Sequence, residues 1–73
     1  MAPTMSHEER ARLRTIIDYW VEHNKEHCQE FKEWAEKAKG MGEADVGNEI
    51  LFAAQELDKT NEFLSRALHR LRK

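Results

Sequence analysis

Trp20-Val21-Glu22-His23-Asn24-Lys25-Glu26-His27-Cys28-Gln29-Glu30-Phe31-Lys32-Glu33-Trp34 decides how this chain folds. It holds both tryptophans, two of the four histidines and the only cysteine. At about 100° per residue, Trp20, Asn24, His27, Phe31, Trp34 and Ala38 fall on one stripe of a helix. The stripe is apolar at both ends and polar in the middle. His23 lies on one flank with Glu30 beside it, and Cys28 lies on the other flank. A helix that buries this stripe carries imidazole and amide groups into or beside the core. Buried polar groups need partners, so the stretch raises the question of what His23, Asn24 and His27 bind.

Working outward, the same periodicity begins at Leu13, Ile16 and Ile17 and continues through Ala35 to Ala38. Ser6-His7-Glu8-Glu9 has the spacing of a capping box, in which the Ser6 hydroxyl accepts from the Glu9 amide and the Glu9 carboxylate reaches back. Residues 1–5 hold the only proline and no periodicity, and read as a disordered tail. The first helix is therefore expected over about 7–39, with Lys37 and Lys39 favourably placed in its last turn. Gly40-Met41-Gly42 is the one break and reads as a turn over 40–42. A second helix is expected over about 43–72, with Val46, Ile50, Ala53, Ala54, Leu57, Asn61, Leu64, Leu68 and Leu71 as its stripe. Gly47 interrupts it, either to let the backbone approach Trp34 or as a tolerated glycine.

So short a connection makes the two helices antiparallel neighbours. The fold class is all-α: one domain over residues 1–73, an antiparallel two-helix hairpin. Pairing outward from Met41 sets Phe31 level with Leu51 and Trp20 level with Glu62 to Leu64. His23 and Asn24 then come level with Asp58 to Asn61, so the polar notch of the first helix meets Asn61, the polar residue on the second stripe. Phe52 and Phe63 point away from that stripe and suggest another apolar surface. A chain of 73 residues has a marginal core, and one cysteine makes no internal disulfide. These readings favour a homodimer in which two hairpins form a four-helix bundle.

Composition excludes several classes of function. Charged residues make up 36% of the chain and the formal net charge is −2, which argues against nucleic-acid binding and against a polybasic membrane anchor. No apolar run approaches the ~20 residues that span a bilayer. The lone cysteine and the lack of a signal peptide point to a reducing cytoplasm. Arginines gather at the end carrying both termini, where they offer a docking patch for an acidic protein partner. Carboxylates dominate the turn end. No nucleophile, base and orienting group stand together, so an enzyme is not expected.

His23-x3-His27 puts two imidazoles on adjacent turns of one face, the spacing that chelates nickel, cobalt, zinc or copper from a helix. Glu30 can add a carboxylate, and Glu26 can orient an imidazole from behind. A two-fold dimer doubles the set to four imidazoles. The candidate metal ligands are thus His23, His27 and Glu30, for a divalent transition metal of the nickel or zinc class. The competing reading is a structural polar layer that fixes register in a non-catalytic interaction module. Cys28 reads as a small packing residue. His7 and His69 read as solvated residues near the termini.

The run Tyr19 to His27, then Glu30-Phe31-Lys32-Glu33-Trp34-Ala35-Glu36-Lys37-Ala38, with Ala53-Ala54, Asn61, Leu64 and Ala67-Leu68 further on, resembles a small family of helical-hairpin proteins. It is also similar to the helical extension of some CooT-type nickel-binding accessory proteins. That resemblance implies a helical hairpin and adds weight to nickel as the ion. It carries over no ligand, because this chain lacks the separate metal-binding module of those proteins. Together these readings point to a small accessory protein for a transition metal, with the interaction module as the alternative.

Overall fold

The computed structural model describes residues 6–72. The tail expected at residues 1–5 lies outside them. Helix α1 spans His7–Gly40 and α2 spans Ala44–Leu71. Ser6 and Glu9 form the expected capping box: Glu9 N donates to Ser6 Oγ at 3.1 Å and Ser6 N to Glu9 Oε1 at 3.3 Å. The turn lies one residue later than expected. Gly40 is still helical, and Gly42 takes the left-handed conformation at φ 85°, letting Glu43 N donate to Ala38 O at 2.9 Å.

The helices pack antiparallel along their whole length. Arg10 Nη2 donates to Leu71 O near the termini, Asn61 meets Val21 and Asn24 at mid-length, and Gly47 lies against Ala35 near the turn. The molecule measures 56 × 20 × 16 Å. Its radius of gyration is 16.9 Å, against about 11 Å for a compact domain of this length.

The seam between the helices differs from the expected stripe. On α1 the seam runs through Arg10, Arg14, Ile17, Val21, Asn24, Cys28, Phe31, Ala35 and Ala38, alternating four and three residues apart, with Leu13 and His27 half-buried beside it. On α2 it runs through Gly47, Ile50, Ala54, Leu57, Asn61, Leu64, Leu68 and Leu71 in the same rhythm, with Leu51 and Ala67 half-buried beside it. This is the seven-residue repeat of a coiled coil. Asn24, Phe31 and Ala38 lie on it as expected, but Trp20 and Trp34 do not, and they remain 46% and 54% exposed. The cause is the size of the facing layers. Ala35 is completely buried against Gly47, and Cys28 lies against Ala54. Backbones this close leave no room for an indole between them.

Gly47 makes that approach possible. A Cβ added there would lie 2.8 Å from the Ala35 carbonyl oxygen and 2.8 Å from Lys39 Cγ. The close neighbour is the backbone of Ala35 and not Trp34. Lys39 can swing away, whereas a helix backbone cannot. Gly47→Ala should therefore lower the melting temperature, although alanine gains about 0.8–1.0 kcal/mol of helix propensity. Gly42→Ala should cost about 1–2 kcal/mol because of its positive φ. Gly40→Ala, with nothing within 4 Å of the new methyl, should be neutral or stabilising. Thermal melts by circular dichroism rank the three. A Gly47→Ala variant more stable than wild type would overturn the close-approach argument.

Candidate functional site

The polar layer at mid-length is built from amides alone. Asn24 Nδ2 donates to Asn61 Oδ1 at 3.0 Å, and Asn61 Nδ2 donates to the Val21 carbonyl oxygen at 3.1 Å. Among the described residues, no buried side-chain nitrogen or oxygen lacks a partner. The layer thus fixes one register, since a slip of either helix would leave amides facing apolar neighbours.

One turn on, Cys28 is buried in the seam and not on the flank where its spacing placed it. Its Sγ–H donates to Asp58 Oδ1 at 3.2 Å and approaches Ala54 O at 3.5 Å. Burial pushes the thiol pKa up, and the hydrogen bond to and charge of Asp58 push it further, outweighing Lys32. A buried thiol kept protonated is a poor nucleophile and a poor ligand.

His23 and His27 stand outside the seam. His27 is half-buried on its edge and His23 is exposed. The structure brings the pair together: Nε2 of each lies 2.9 Å from Nε2 of the other, with the rings nearly perpendicular. Glu30 does not share that meeting point. Its Oε1 lies 3.5 Å from the other ring nitrogen of His27, Nδ1. The two Nε2 atoms form a hydrogen bond, one ring donating and the other accepting. His23, His27 and Glu30 are thus neighbours that do not converge on one point. No group of three or more histidines, cysteines and carboxylates able to hold an ion occurs among the described residues. Tyr19 stacks on His23 at 5.4 Å and Phe31 lies 6.1 Å from His27, so the imidazoles sit within a row of rings along α1.

The two sides of the hairpin are chemically different. On one side the residues flanking the seam are Leu13, Trp20, His27 and Trp34 on α1, with Val46, Ala53, Thr60 and Ala67 on α2. Phe31, Trp34, Ile50 and Ala53 line an apolar depression there, edged by Glu30. On the opposite side, Lys25, Asp58, Asn61, Ser65 and Arg66 line a polar one. The sequence pointed to Phe52 and Phe63 for a second apolar surface. Both are exposed, but Phe52 is on the back of α2, and the broad apolar side is the one the tryptophans occupy. Lys37 Nζ lies 4.4 Å over the Trp34 ring, and Arg66 5.2 Å over Phe63. The signal was available in the sequence: Trp20, His27 and Trp34 recur every seven residues, one position before Val21, Cys28 and Ala35.

The chain matches a family model described as Domain of unknown function (DUF8180) over residues 13–71. It belongs to that family. The matched span covers nearly all of both helices, including the amide layer, the histidine pair and both tryptophans. No curated protein and no solved structure matches the chain. No helix of the described residues is long and apolar enough to cross a membrane.

The geometry makes two predictions. Asn61→Leu should lower stability by about 1–3 kcal/mol by stranding Asn24, and adding Asn24→Leu should recover most of that loss. A double-mutant cycle in urea measures the coupling, and simple additivity would show that the amides act separately. The raised pKa of Cys28 predicts that its stabilising effect is complete below the ordinary thiol value of 9.0 and fades as pH rises through the higher folded value. Wild type should therefore lose more stability in alkali than Cys28→Ala does.

Proposed function

We propose that this hairpin is a non-catalytic self-association module, in which two copies pack their tryptophan-bearing sides together as a four-helix bundle. The observation that carries this reading is the exposure of Trp20 and Trp34, with Ile16 at 44%, on one continuous side of the seam. Isolated apolar residues on a surface need no explanation, but an aromatic row along a helix does. Aromatic side chains are also the residues enriched at the centres of protein interfaces.

Surface area supports the same reading. The chain exposes 5960 Å² for a mass of 8.6 kDa. A compact monomer of that mass would expose about 4,700 Å², and the elongated 56 × 20 × 16 Å shape, which accounts for the excess, leaves a long side open to a partner. The amide layer then sets the register of the hairpin, and the aromatic side supplies the contact. Cys28 is held as a thiol, and offers no catalytic nucleophile.

The transition-metal reading rests on a separate observation, the 2.9 Å approach of the two imidazole nitrogens. Two imidazoles without a converging third donor are too few for a held nickel or zinc ion, so a metal role needs donors from outside one chain.

Sedimentation equilibrium of the wild type should give twice 8.6 kDa at micromolar concentration. Trp34→Glu should dissociate the dimer by at least ~100-fold, as expected for a buried interface aromatic. Phe52→Glu, on the back of α2, should leave the mass unchanged. A wild type that stays monomeric at about a hundred micromolar would replace self-association with docking on a different protein.

A further inference from the structure

We propose that the dimer closes antiparallel about a two-fold axis at His27, and that His23 and His27 of both copies form one shared site for a divalent transition metal. The inference rests on the self-association reading and goes beyond it by fixing the orientation and the ligand.

Three observations converge on this axis. The first is the order of side chains on the aromatic flank. Leu13, Trp20, His27, Trp34 and Met41 follow one another at seven-residue intervals along α1 and its cap, with apolar or aromatic residues placed symmetrically about His27. Two such helices laid antiparallel with the axis at His27 set Trp20 of one against Trp34 of the partner subunit, at both ends. Any other antiparallel level leaves a tryptophan facing a histidine or solvent. The second is charge. Arg10, Arg12, Arg14, Arg66, Arg70 and Arg72 give the terminal end a basic excess, while carboxylates outnumber cations between residues 30 and 50. An antiparallel dimer sets each basic end beside an acidic one, whereas a parallel dimer stacks like charge on like. The third is His27, which falls on the axis once the tryptophans are matched and brings His23 to it, one turn away, through the 2.9 Å contact.

The site's chemistry follows from the donors. Two nitrogens bound to one ion at about 2.0–2.1 Å, subtending roughly 90–110°, lie about 2.8–3.4 Å apart. His23 and His27 already hold their Nε2 atoms 2.9 Å apart, in the range of neighbouring ligands on one ion; the ion takes the place of the hydrogen-bonding proton between them, which moves to Nδ1 of the donating ring. Glu30, behind His27 Nδ1, keeps Nε2 as the coordinating atom. One copy supplies two imidazoles, and its partner supplies the two that complete a four-nitrogen set. All-imidazole donors suit zinc, nickel, cobalt or copper and disfavour magnesium and calcium.

The test combines calorimetry and sedimentation on protein carrying no affinity tag. With Zn²⁺ and Ni²⁺ as probes, the wild type should bind one ion per two chains. His27→Ala should remain a dimer in EDTA and bind at least 100-fold more weakly, while His69→Ala should bind like wild type. A wild-type dimer in EDTA that binds ions no more tightly than His27→Ala overturns the shared site and leaves self-association standing. A wild type that is monomeric with and without metal overturns both. A monomer in EDTA that pairs on adding metal supports the site and makes the ion the agent of assembly. Orientation is read separately from Glu43→Cys, spin-labelled at its exposed thiol while the buried Cys28 stays unreactive. Intermolecular distances of roughly 40–50 Å fit turns at opposite ends, and a mean below about 25 Å overturns the antiparallel axis.

Discussion

The close approach of the Ala35 carbonyl to Gly47 sets the rest of the architecture. With no side chain on α2 at that level, the helices meet backbone to side-chain stem, and the next layer repeats the arrangement with Cys28 against Ala54. Helices that approach so closely bury a narrow seam. Its closest layers near the turn hold Ala35, Gly47, Cys28 and Ala54, with Phe31 and Ile50 between them, and Ile17, Val21, Leu64 and Leu68 fill it toward the termini. A narrow seam cannot hold an indole, so the tryptophans are displaced to its edge. Their exposure follows from the packing and not from an absence of hydrophobic drive.

The same narrowness decides which polar groups are structural. Asparagine is short enough to sit in the seam and donate both to another asparagine and to a main-chain oxygen. Cysteine is smaller still and reaches a carboxylate across the interface. His27 is one position off the seam and lies at its edge, where it meets His23 one turn earlier. Groups that lock the hairpin and groups that can bind a ligand are therefore separated by about one residue of helical phase.

That one-residue difference explains what the sequence could and could not reveal. The hairpin, its antiparallel direction, the capping box and the pairing of Asn24 with Asn61 were legible, since each depends on local chemistry or connection length. The seam differs from the expected stripe because a repeat of 3.6 residues per turn drawn through the largest side chains drifts off it. In a two-stranded coiled coil the repeat is 3.5, and tight layers select small residues. Trp20, His27 and Trp34 are one position from Val21, Cys28 and Ala35, close enough for a stripe drawn through the aromatics to look plausible. The histidine pair was legible as a spacing, but the side of the ring that Glu30 approaches was not. Side-chain rotamers decide that, and periodicity does not report them.

The hairpin's own core is thin. Among the described residues its buried apolar ones are Ile17, Val21, Cys28, Ala35, Ala54 and Leu68, and no large side chain is completely enclosed. Burial at about 25 cal/mol per Å² stabilises a chain only where area leaves water, and here Tyr19, Trp20, Trp34, Phe52 and Phe63 all stay exposed. Against this stands the conformational entropy of ordering two long helices, at roughly 1–2 kcal/mol per residue. A seam of alanine, glycine, amides and a thiol is well specified but weakly driven. On the self-association reading, folding and association form a single equilibrium, in which the amide layer chooses the register and the aromatic side supplies the area. Melting should accordingly shift upward with chain concentration, as mass action requires when only the assembled state is well packed.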